Sequence, residues 1–88
     1  MKTETAIIIG TQGFVWVCSS VEVDETWATL VNARCIRVWG TTKGLNELVQ
    51  GPTKNTILDT AAPVISLAQH ALVAVIPADQ AGWAKSLT

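Results

Sequence analysis

The sequence predicts a mainly β (α+β) fold: a small SH3-like barrel or roll of five to seven short strands, with one short helix near residues 43–50. Three observations lead there. β-Branched and aromatic runs recur at short spacing along the chain, with Gly, Pro, Asn and Asp clusters between them. Helical periodicity is confined to one segment, where Leu45, Leu48 and Val49 share a face. Strands and helices do not alternate in βαβ fashion, which speaks against a doubly wound parallel sheet.

Taken in order, Thr5 to Ile9 is a β-branched run and reads as the first strand. Gly10-Thr11-Gln12-Gly13 is a turn, with glycine where positive φ is needed. Phe14 to Val23 is a long strand. Its first half is apolar on both faces (Phe14, Trp16 and Cys18 against Val15 and Val17), so it lies centrally or is covered by a partner. Asp24-Glu25 is a polar hairpin tip, and Trp27 to Val31 returns from it. Asn32-Ala33 breaks the period of two, which predicts a bulge or tight corner before Arg34 to Trp39 continues.

Gly40 to Gly44 turns into a helix over about Lys43 to Gln50, with Thr41 or Thr42 as its N-cap and Gly51-Pro52 as its stop. Thr56 to Leu58 is a short strand and Asp59 to Pro63 a loop. Val64 to Leu67 and Ala71 to Ile76 are the last strands, joined around Gln69-His70 and ended by Pro77, which has no donor. Residues 1–4 and 79–88 are expected to be peripheral tails, with one helical turn around Trp83.

Eighty-eight residues make one domain, 1–88. Hydrophobic residues are 49% of the chain and charged residues 15%, below the usual quarter or so, so disorder is excluded and part of the apolar surplus is expected in a subunit interface. The net charge of −1 argues against non-specific nucleic-acid binding. No secretory signal precedes the Ala6 to Ile9 run, and no stretch reaches the roughly 18 apolar residues of a membrane span. The expected location is therefore the cytoplasm. Cys18 and Cys35 lack CxxC spacing and read as small buried hydrophobes, with a disulfide between neighbouring strands as the alternative.

Catalysis finds no anchor. His70 is the single histidine, placed in a loop, and no serine has a GxSxG setting. One histidine and two separated cysteines form no recognisable metal set, and the carboxylates form no dyad. No enzyme activity, catalytic residue, metal or cofactor is expected.

The candidate site is Arg37, Trp39, Thr41, Thr42 and Lys43. It combines an indole, two cations and two hydroxyls where a strand meets the N-terminus of the helix. Arg37 and Lys43 would pair with a phosphate, Trp39 would stack on a ring, and the threonine hydroxyls would donate. The GxxxxGK[ST] pattern is absent, so nucleoside triphosphate hydrolysis is not implied. Trp and Arg are equally the residue types enriched in protein interfaces.

The stretch Asn32-Ala33-Arg34-x-Ile36-x-x-Trp39-Gly40, followed by Leu45-x-x-Leu48 and Gly51-Pro52, resembles a family of very short phage- and prophage-encoded proteins of uncharacterised function. In that family an Ala-Arg-x-aliphatic-x-x-Trp strand leads into a Gly/Ser turn and a Leu-x-x-Leu helix, and a late aliphatic strand like Ala71 to Ile76 follows. A second arginine common in the family is Cys35 here. The resemblance implies origin rather than activity. Phage proteins of this size bind and block a host protein, or form oligomers that hold a host signalling nucleotide. The expected function is a non-catalytic, phage-type binding protein in the host cytosol, a homo-oligomer sequestering a phosphate-bearing small molecule such as a cyclic nucleotide. The alternatives are an inhibitor or adaptor on a host protein, or a particle assembly component. Nucleic acid and membrane are not expected partners.

Overall fold

A computed structural model describes all residues, Met1–Thr88. Six antiparallel strands form one sheet: β1 Lys2–Gly10, β2 Val15–Val23, β3 Trp27–Val38, β4 Ile57–Leu58, β5 Ala62–Ala68 and β6 Leu72–Pro77. The order runs β4-β3-β2-β1-β6, with β5 pairing β3 as well. β3 is long enough to hold two neighbours on one edge: residues 27–33 pair with β5, and Ile36 and Val38 with β4. A three-residue 3₁₀ turn, Gln69–Ala71, joins β5 to β6 at opposite margins of the sheet, so the sheet must roll. The mainly β expectation holds.

The strands follow from side-chain alternation. In β1, Ala6 and Ile8 enter one apolar cluster and Ile7 the other. The first cluster adds Cys18, Val21, Ala28, Leu30 and Ala33, with Ile65, Leu67, Leu72 and Val75 of the two margins packed against it. This is the interior of the roll. The second comprises Ile7, Val15, Val17, Ile36, Leu48 and Trp83. Each fully buried Ile or Leu contributes about 1.5–3 kcal/mol relative to exposure.

Asn32 interrupts β3 as its sequence context predicts. Its φ of 52° lies in the left-handed region, and the buried positions change phase around it, from Ala28 and Leu30 to Ala33. Asn32 Nδ2 donates to Ser19 Oγ at 2.9 Å and to the Leu87 carbonyl. The corner thereby holds the C-terminus.

Two expectations are corrected. The segment near 43–50 is a 3₁₀ helix, Leu45–Gln50, and its N-cap is Gly44 without any side-chain bond, not Thr41 or Thr42. Residues 1–4 and 79–88 are not peripheral. β1 starts at Lys2, and Val23 N donates to the Met1 carbonyl at 2.9 Å. The helix α1, Gln80–Trp83, starts at Asp79, whose Oδ2 accepts from Gly82 N at 3.2 Å. Trp83 is 0% exposed, and its Nε1 donates to the Leu48 carbonyl at 2.8 Å. Gly82 lets α1 approach this closely, since a Cβ there would stand 1.8 Å from the Gln50 carbonyl oxygen. The tail is thus the lid of the second cluster. No helix is long and apolar enough to cross a membrane.

Candidate functional site

The β3 end and the following turn are built by a threonine pair. Thr56 Oγ1 donates to the Trp39 carbonyl at 2.7 Å, and Thr53 Oγ1 to the Gly40 carbonyl at 2.7 Å. Thr53 N donates to Thr56 Oγ1 at 2.9 Å and Asn55 N to Thr53 Oγ1 at 3.1 Å, which closes the turn that carries both hydroxyls. Gly40 has φ 68°, and a Cβ there would lie 2.3 Å from the Asn55 carbonyl carbon, so no larger residue fits. Sequence reasoning passed over Thr53 and Thr56. Their signal was the Thr-x-x-Thr spacing directly after Gly51-Pro52, a serine/threonine-turn pattern.

On this support Trp39 stands just past the strand end and is 41% exposed. The cross-strand partners Val38 and Ile57 are also exposed, and Val38 directly precedes Trp39, so three exposed apolar residues adjoin along the backbone at this end of the sheet. Arg37 Nε pairs with Asp59 Oδ1 at 3.3 Å, with both side chains largely in solvent. Such a pair is worth about 0–1 kcal/mol, so the guanidinium is free to exchange partners. Arg34 is different in kind. Its Nε donates to the Asp59 carbonyl at 2.6 Å and its Nη1 to the Ser86 carbonyl at 3.0 Å, which makes it a brace between β3 and the tail.

Thr42 and Lys43 are exposed and Thr41 half-buried. The turn that contains them already faces a carboxylate: Thr42 N lies 3.4 Å from each Glu47 oxygen. A phosphate at this amide would have to displace Glu47 against like charge. The structure therefore brings Arg37 and Trp39 to one outward end of the sheet, and puts an anion of its own by the Thr42 amide.

The concavity of the surface lies elsewhere. About 220 Å³ opens between Thr5, Ser19, Gln80, Ala84, Leu87 and Thr88, under the tail. None of the expected site residues lines it. No three His, Cys, Asp or Glu side chains converge as a metal site. His70 is exposed on the turn between β5 and β6. Cys18 is buried, its thiol pushed up to about 11 by burial although the Ala6 carbonyl accepts from it at 3.6 Å. Cys35 is half-buried, its thiol raised by burial first and by Asp59 next.

The four tryptophans divide unevenly. Trp83 is core, Trp16 is half-buried and stacked on Phe14 at 5.6 Å and 12°, and Trp27 and Trp39 are exposed. No protein-family model, curated protein or solved structure matches the chain.

Proposed function

We propose that this chain is a non-catalytic binding protein of phage type, self-associating, that docks on a partner protein through the corner formed by Val38, Trp39 and Ile57 with Arg37 at its rim. The observation that carries this reading is an indole left 41% exposed beside two exposed aliphatic side chains, on a backbone held by the Thr53–Thr56 pair. An apolar centre with an arginine rim is the anatomy of a protein interface. A cyclic nucleotide is the weaker fit, because the expected residues line no concavity and Glu47 sits by the Thr42 amide.

Affinity capture from host lysate tests this, with the wild-type chain, Trp39→Ala and Trp27→Ala as baits. The expected result is a partner retained by wild type and Trp27→Ala and lost with Trp39→Ala. Calorimetry against a nucleotide panel is the counter-test. Heat that vanishes with Arg37→Ala or Lys43→Ala would replace the protein partner with a phosphate-bearing ligand.

A further inference from the structure

The two margins of the sheet are not equally guarded. In β6, the bond from Ala78 N to the Thr5 carbonyl at 2.9 Å sets the phase: Ala74 and Ile76 turn their backbone groups to β1, while Val75 and Pro77 turn theirs outward. Pro77 has no N–H to offer there, and a register shift opposite Ile9 and Gly10 disturbs the strand at Val73. A proline and a bulge are devices that blunt an edge.

In β5, the bond from Gln69 N to the Thr26 carbonyl at 2.9 Å sets the phase: Ile65 and Leu67 bond to β3, and Val64, Ser66 and Ala68 present N–H and C=O outward. Pro63 falls in the inward set, opposite the Asn32 corner where the ladder is already interrupted, so it does not blunt the outer edge. Val64 is 58% exposed and Ser66 is exposed. No Asp, Glu, Lys or Arg occurs between Asp59 and Asp79.

We infer that the outer edge of β5 is the seam of a two-fold dimer, in which β5 pairs antiparallel with β5 of a second copy and the sheet runs on across both. The occupant follows from charge and symmetry. A two-fold axis sets each strand against itself, so any charge on this edge would meet its like; this edge carries none. The neighbouring surface agrees. Val31 and Val64 are cross-strand partners, and Trp27 lies two pairs further along the same outer face of β3, all three exposed. Pairing at β5 brings two such stripes together and covers apolar surface beyond the backbone bonds. The inference rests on the self-association in the reading above but not on the Trp39 corner.

Sedimentation equilibrium of the full chain over a dilution series tests it, with Val64→Lys and Ser66→Pro as seam variants and Trp39→Ala as control. Ser66 N–H takes no part in the monomer ladder, and the Val64 side chain is mostly in solvent, so each variant spares the fold by a separate route. The expected result is a wild-type dimer, association weakened at least about tenfold in both seam variants, and a dimer in Trp39→Ala that no longer holds the partner. A wild-type chain that stays monomeric, assembles beyond a dimer, or dimerises unchanged with Val64→Lys overturns the seam. Loss of partner capture with an intact dimer leaves the seam standing, and the reverse outcome leaves the Trp39 corner standing.

Discussion

Trp83 shows how much one side chain decides. It fills the second cluster at 0% exposure and its indole N–H satisfies the Leu48 carbonyl at 2.8 Å. Trp83→Phe keeps most of the apolar area and removes the indole donor, so the Leu48 carbonyl keeps only its bond from Gly51 N at 3.1 Å. The expected loss is about 0.5–1.5 kcal/mol in urea unfolding, the net worth of one hydrogen bond; stability equal to wild type would refute the role of the bond. Asp24 works at the same scale on the β2–β3 hairpin. Its Oδ1 accepts from Trp27 N and Thr26 N, each at 2.8 Å, and these bonds hold the carboxyl below its ordinary 3.8. The sign follows: the contribution is complete above the ordinary value and is lost as pH falls through the lowered one. An NMR titration should give Asp24 a midpoint below 3.8, with amide protection of Thr26 and Trp27 falling in that range. A midpoint at or above the ordinary value would contradict the turn.

Among the elements, β3 carries the most information. It pairs with β2 along one edge and with both β5 and β4 along the other, and Asn32 is its pivot. Asn32→Ala loses the bonds to Ser19 and Leu87 and keeps a β-carbon in left-handed backbone; Asn32→Gly loses the same bonds but also removes that β-carbon. Glycine should therefore be the milder change by about 1 kcal/mol in thermal or urea unfolding. The reverse order would show that the corner is not what the asparagine supplies. This corner was legible in the sequence because Asn interrupted an alternation of two. The 3₁₀ helix was legible in place but not in type: Leu45, Leu48 and Val49 announced a helical face, while the cap passed to Gly44. It is held by the Trp83 indole on the Leu48 carbonyl and by Gly82 against Gln50, contacts that span more than thirty residues of sequence.

For the molecule as a whole, the tail is structural. Residues 79–88 bring Trp83 and Leu87 to the second cluster and Ser86 to Arg34. Removing a buried Trp alone costs about 3–5 kcal/mol, a large part of what a chain of this size has. A variant ending at Ala78 should lack a cooperative calorimetric transition. A sharp transition at the full-length temperature would return the tail to the periphery. The same scale decides the exposed surface. Two outward features, the Trp39 corner and the β5 edge, lie on different strands and separate in mutational tests.

The sequence by itself determined the mainly β class, the strand positions, the hairpin at Asp24 and the corner at Asn32, because these depend on local alternation and turn chemistry. It also marked Arg37 and Trp39 as residues worth placing. Only the tertiary structure decided that Trp83 is core while Trp39 is outward, that Arg34 braces the tail while Arg37 stays in solvent, and that Glu47 stands by the Thr42 amide. Burial and pairing are settled by residues far away in the chain, and no periodicity of neighbours encodes them.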